Sequence, residues 1–260
     1  MGLKDWLLRR GRPPAVSSEP EPLERIEAVI ETTRTPFVRV EVADEDEPLL
    51  PTASKLGGVP YLPDGAAPPD DEPFAFIAQI NFADLVLEPF PRSGLVQFWV
   101  ADDDVYGLGR DQPQSGFRCI YYPELDRPQQ RDLRLRTVAG PLSPDRVLLG
   151  RRLTFRADTG VVSTEDYQWA QFLARNKIAD CSIPEAMYSR YVASGHRIGG
   201  YCAFTQSDPR TPDDPKLSLL QLDSDGHVLW GDAGIAHWFI READLRARDF
   251  SRVEYYWDCS

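Results

Sequence analysis

The chain has 260 residues, 42% of them hydrophobic, enough to bury a substantial core in one large domain or two small ones. Its net charge of −12 is uneven: Lys4, Arg9, Arg10 and Arg12 against Asp5 give the first 12 residues +3 and leave −15 for the rest. That balance argues against nucleic acid as a partner, because a polyanion would meet net repulsion, and it favours a basic protein or a cationic ligand.

No apolar run reaches the roughly 20 residues of a membrane span, so a cytosolic protein without a transmembrane segment is expected. Cys119, Cys181, Cys202 and Cys259 form no C-x-x-C pair and the three histidines are dispersed, so neither a zinc site nor a disulfide framework is expected.

Residues 1–20 read as a flexible head and residues 21–260 as one domain. In chain order, "EPLERIEAVIETT" (21–33) has helical spacing and "PFVRVEV" (36–42) alternates as a strand. Residues 41–48 read as an acidic linker and 63–73 as a loop. "KLGGVPY" (55–61), "FAFIAQIN" (74–81), "GLVQFWV" (94–100) and "FRCIYYP" (117–123) follow.

Each of these four segments has a counterpart later in the chain. "RIGGYCA" (197–203) and "KLSLLQLD" (216–223) match at an offset of 142, "GIAHWFI" (234–240) at 140, and "SRVEYYW" (251–257) at 134. The constant order implies two half-repeats, about 55–125 and 197–258, around an insert at about 126–196. The fold class expected is α+β, mainly β: duplicated β-roll-like half-units with a pseudo-twofold relation and a few peripheral helices.

Strict alternation puts Val96, Phe98 and Val100 opposite Leu95, Gln97 and Trp99, and Ala236, Trp238 and Ile240 opposite Ile235, His237 and Phe239. Both faces are mostly apolar, so these strands are expected to be buried on both sides. In the insert, "LRLRTVAG" and "RRLTFRADTG" alternate as strands. "STEDYQWAQFLARNK" has helical spacing with Ser163 or Thr164 as cap. "SIPEAMYSRYVASG" predicts a helix with a Ser182/Glu185 capping box, ended by Gly195.

The segments "KLGG-PY-P", "FAFIAQINFADL", "HRIGG--AFTQSDPR", "LLQLDSD", "WGDAG---WFI---DL" and "DFSRVEYYWDC" resemble the YwqG-like family over roughly residues 50–260. The resemblance implies a duplicated, mainly β roll with a few helices, and a toxin-neutralising or protein-binding role. It brings no reaction, cofactor or catalytic residue with it. Cys202 departs from the proline the family pattern places after Gly-Gly-Tyr.

The candidate ligand-binding residues come from the repeat. On an alternating strand Ala75, Ile77, Gln79 and Asn81 share a face, as do Leu217, Leu219, Gln221 and Asp223. Two polar dyads would then converge in a pocket between the halves, with Asp232 and Trp230 beside them. The competing reading is structural: Gln79 and Gln221 satisfy buried backbone groups, and Asn81 caps the turn leading to Asp84.

"DSDG" (223–226) lacks the EF-hand spacing, and its Asp225-Gly226 pair reads as the centre of a two-residue hairpin, so no metal is expected. No G-x-S-x-G elbow, phosphate loop or dinucleotide fingerprint is present, so neither cofactor nor catalytic residue is assigned. His237 reads as a core histidine, and Trp230, Tyr255, Tyr256 and Trp257 as core aromatics. The function expected is a binding protein, immunity-like, for a basic protein partner. The alternative is a small-molecule-binding protein or hydrolase built on Gln79, Gln221, Asp223 and Asp232.

Overall fold

The computed structural model describes residues 23–44, 48–69, 73–109, 114–130, 140–143 and 149–260. The N-terminal head, the acidic residues 45–47 and the strand expected at "LRLRTVAG" lie outside the described residues.

Ten strands form one antiparallel sheet in the order β10-β9-β8-β7-β1-β6-β2-β3-β4-β5. The central pair is β1 (Thr35–Val42) and β6 (Arg151–Gly160). One wing is β2 (Lys55–Leu56), β3 (Phe74–Asn81), β4 (Leu95–Ala101) and β5 (Phe117–Tyr122). The other is β7 (Arg197–Gly199), β8 (Leu217–Asp223), β9 (Ile235–Ile240) and β10 (Glu254–Asp258).

The sheet curls until its wings meet as a nearly closed barrel. Phe98 of β4 packs on Trp238 of β9 at 5.0 Å between ring centroids, and Phe117 of β5 on Tyr255 of β10 at 5.3 Å. The interior cluster takes Val96, Phe98 and Val100 from one wing and Ala236, Trp238 and Ile240 from the other. Every residue of β9 is buried, so its polar His237 lies in a strand covered on both faces, as the sequence pattern implied.

β6, from the segment without a sequence counterpart, stands beside β2 as β1 stands beside β7. Lys55 pairs with Arg152, and Arg197 with Arg39. The backbone bonds agree: Val40 donates to His196 O and Leu153 to Ser54 O, both at 3.0 Å. Each wing is thus completed by a strand from elsewhere in the chain. β5 and β10 correspond at an offset of 136, because Ile120 faces Gln97 and Tyr256 faces His237. Tyr121 therefore occupies the place of Trp257, not of Tyr255, and the offset of 134 read from the sequence is corrected by two residues.

A β-bulge interrupts β3 between Phe76 and Ala78, and another interrupts β8 between Ser218 and Leu220, 142 positions on. One extra residue reverses every side chain beyond it. Ala75, Ile77, Ala78 and Ile80 consequently face the barrel interior, and Gln79 faces outward. The shared face expected for Ala75, Ile77 and Gln79, and for Leu217, Leu219 and Gln221, is corrected by this extra residue. The Gly-Gly turns are tight in both wings: a Cβ on Gly58 (φ +71) would lie 2.5 Å from Gly150 N, and one on Gly200 (φ +67) 2.8 Å from the Phe37 Cβ.

Four α-helices lie among the described residues, three of them contributing to one outer layer. α1 (Leu23–Glu31) buries Ile26 and Ile30, one helical turn apart. α2 (Gln168–Asn176) and α3 (Glu185–Arg190) add Trp169, Phe172, Leu173 and Met187 to the same cluster. α4 (Glu242–Ala247) follows β9 and buries Leu245 in the barrel core.

The caps read from the sequence are corrected. α2 begins after Tyr167, with Ser163 Oγ accepting the Ala193 amide and Thr164 Oγ1 donating to Tyr188 O. α3 starts after Pro184 without a side-chain cap, while Ser182 Oγ donates to Ala179 O. That helix ends at Arg190, and Gly195 (φ +84) turns the chain four residues after its C-cap, Tyr191.

Phe98→Ala empties the contact between the wings and is expected to destabilise the fold by about 3–5 kcal/mol. A urea midpoint unchanged from the parent would show that this contact does not hold the barrel.

Candidate functional site

The two glutamines are fully buried and committed to backbone. Gln79 Oε1 accepts the Tyr61 amide at 2.8 Å, and its Nε2 donates to Pro51 O (2.7 Å) and Ala53 O (2.8 Å). Gln221 Oε1 accepts the Ala203 amide at 3.1 Å, and its Nε2 donates to Ala193 O and Gly195 O, both at 2.9 Å. Each of the three partners is displaced by 142 positions. Both side chains clamp a loop that crosses the outside of the sheet.

The neighbouring position differs. Gln97 Nε2 donates to Tyr61 O at 2.6 Å, and its Oε1 accepts the Trp99 indole at 3.2 Å. His237 fills the corresponding place, its ring stacked 4.3 Å from Phe204 and 5.3 Å from Phe239. Its polar neighbour is the Ala203 backbone, but neither ring nitrogen reaches full hydrogen-bond geometry. Burial, reinforced by the charge of Arg210, drives its pKa well down, so the imidazole is neutral.

Asn81 accepts the Ala83 amide at 3.0 Å and donates to Thr52 O at 3.1 Å, and Asp223 accepts the Gly195 amide at 2.7 Å. Asp232 is exposed in the turn before β9. Trp230 is fully buried in the interior, against Tyr106, Trp238, Tyr255 and Trp257. The structure brings Gln221 and Asp223 to one loop, places Gln79 and Asn81 on another, and leaves Trp230 on the opposite side of the sheet from Gln221.

Two polar constellations were not read from the sequence. The first is a buried charge cluster: Arg210 Nη2 donates to Asp166 Oδ2 at 2.8 Å and Asp208 Oδ2 at 2.7 Å, with the carboxylates 0% and 3% exposed. Asp166 also accepts the amides of Cys202 and Gln168, which ties the loop before α2 to the outer face of the sheet. Burial works against the Arg210 charge, but Cys202, Asp208 and Asp166 outweigh it and raise its pKa. "SDPR" (207–210) was the available signal, an acid and a base held close by proline.

The second is His196 with Asp225. His196 Nδ1 accepts the Asp223 amide at 3.0 Å, so Nε2 carries the proton toward Asp225 Oδ2, also at 3.0 Å. Asp225 further accepts the amides of His227 and Val228. It therefore closes a loop, and the hairpin expected with Asp225-Gly226 at its centre is corrected: the Asp225 amide donates to Val228 O at 2.8 Å, which centres the turn on Gly226 and His227, and Val228 goes on to bridge Leu142. Among the described residues no group of three His, Cys, Asp or Glu side chains is arranged to hold a metal.

Residues 54–259 match the family described as Domain of unknown function (DUF1963). The chain belongs to this family. Among curated proteins none matches the chain. No helix among the described residues is long and apolar enough to cross a membrane.

Gln221→Leu keeps the volume but leaves one amide and two carbonyls without their partner, and is expected to cost about 3 kcal/mol or more. A loss below about 1 kcal/mol in chemical denaturation would show that water replaces the side chain freely.

The acid side of the stability profile tests the second constellation. Burial raises the Asp225 carboxyl, but the His196 bond and the two amides outweigh it and bring the pKa from 3.8 to about 2. A depressed folded pKa contributes stability that is complete above about 4 and is lost as pH falls toward 2. Asp225→Asn is expected to flatten the profile in that window; a profile parallel to the parent's rules out this contribution.

Proposed function

We propose that the chain is a YwqG-like protein built by internal duplication, acting in the cytosol as a binding protein without catalysis and meeting a basic protein partner as an immunity-like protein does. The duplication is supported by the bulges and the glutamine clamps, each repeated 142 positions apart. Two side chains so far apart in sequence making the same three bonds is not a demand of the β fold in general.

The observation that carries the binding reading is where the charge goes. The buried glutamines and the Asp166, Asp208 and Arg210 charges are spent on backbone and on one another, whereas Asp102, Asp104, Glu124, Asp126, Asp213 and Asp232 are exposed on a protein of net charge −12. Such a surface steers a basic partner and discriminates against acidic ones. The small-molecule alternative built on Gln79, Gln221, Asp223 and Asp232 is not favoured, because both glutamines are fully buried and bind loop backbone.

Co-expression with a basic product of a neighbouring gene is expected to yield a complex and protection from that product's toxicity. The association rate should fall by roughly tenfold or more as salt screens the attraction. Absence of both complex and protection refutes the reading.

A further inference from the structure

Against the acidic exterior, one cleft gathers cations. It lies where α1, α3, β1, β6 and β7 meet, holds about 290 Å³, and is lined by Arg34, Arg39, Arg190 and Arg197 around Phe37 and Tyr191. Phe37 forms its floor, with the Arg197 guanidinium 4.5 Å and the Arg39 guanidinium 5.5 Å from the ring centroid.

We propose that this cleft binds a small oxyanion, a phosphate ester or a compact carboxylate. Arg197 is 6% exposed, and among the described residues no carboxylate lies within salt-bridge distance of it. Its Nη2 donates to Ser194 O (2.5 Å) and its Nη1 to Tyr201 O (3.3 Å), while its buried Nε has no partner. Burial lowers its pKa to about 10, with the Arg39 charge adding to that and Cys202, Asp223 and Asp158 opposing it from beyond bonding distance.

Arg39 repeats the pattern. Asp158 takes only its Nη2, at 3.2 Å, and its buried Nε is likewise unpartnered. Arg190 engages Glu27 through Nη1, and Arg34 engages Glu31 at the rim. The four arginines of the lining face a single acid of the lining, Glu31, and the outer acids Asp158 and Glu27 each hold one edge of a fork. Arg34 is committed, through Nε and Nη2 to Glu31 and through Nη1 to Thr159, so the open edges are those of Arg39 and Arg190, and planar guanidinium forks with such edges are suited to phosphate and carboxylate oxygens. The volume is near the lower bound of ligand pockets, about 300 Å³, which selects a small ligand.

A purely structural role accounts for part of this and not for the rest. In the other wing Lys55 occupies the place of Arg197 and donates to Val59 O at 2.8 Å, as Arg197 does to Tyr201 O, so holding the Gly-Gly turn is common to both. The turn does not require a second arginine on the same ring, nor Arg34 and Arg190 delivered from the turn after α1 and the end of α3.

The test is calorimetric titration of the full chain at low ionic strength with inorganic phosphate, glycerol 3-phosphate and malate. One saturable site is expected. Arg39→Gln and Arg190→Gln should each weaken it about tenfold or more, and Arg246→Gln, exposed on α4 and paired with Glu242 outside the cleft, should leave it unchanged. Preference for glycerol 3-phosphate assigns a phosphate ester, and preference for malate a carboxylate; either supports the site. Arg197 is left intact because it clamps the turn, and the exposed Arg190 keeps the test valid if Arg39→Gln does not fold. Absence of saturable binding by all three anions, or binding indifferent to both substitutions, overturns the proposal without touching the basic-partner reading.

Discussion

A strand buried on both faces leaves backbone and side-chain polar groups around it no access to water, and this constraint organises the molecule. The loops crossing the outer face carry amides and carbonyls that must find partners in the protein. Gln79 and Gln221 supply them, one acceptor and two donors from a side chain on a strand. The bulges in β3 and β8 serve the same end, turning each glutamine from the apolar interior toward the loop that needs it.

The buried charges obey the same rule with higher stakes. Arg210 between Asp166 and Asp208 is neutralised and saturated with bonds, which is the condition under which a buried ion pair persists. Arg197 and Lys55 meet it differently, donating to carbonyls of the Gly-Gly turns and of the loops that precede β7 and β2. What sets Arg197 apart from Lys55 is the company it keeps, a second guanidinium on the Phe37 ring and Arg190 at the edge of the same cleft.

Much of the barrel was legible because alternation and recurrence are local properties. β1, β3, β4, β6, β8 and β9 fall on the segments whose apolar residues alternate, and the double-sided burial of β4 and β9 follows from apolar residues at both parities. The bulges were not legible, since one extra residue leaves no mark in a run such as "FAFIAQIN", and with them went the direction of the glutamines. Helix caps failed where serine and threonine found tertiary partners, as Ser163 did with the Ala193 amide. The arginine cleft was invisible for a different reason: Arg34, Arg39, Arg190 and Arg197 come from opposite ends of the chain and meet only because β1 lies between β7 and β6.

That placement of β1 has a consequence for how the chain can be divided. The strand completing the C-terminal wing is made near the N-terminus, and the one completing the N-terminal wing is made after residue 150, so the connections cross over at the middle of the sheet. A cut between the wings strands each with the other's missing piece. The polypeptide is therefore laced rather than jointed: synthesis must be well past its midpoint before either side of the sheet can close, and the two sides are obliged to assemble as one cooperative unit.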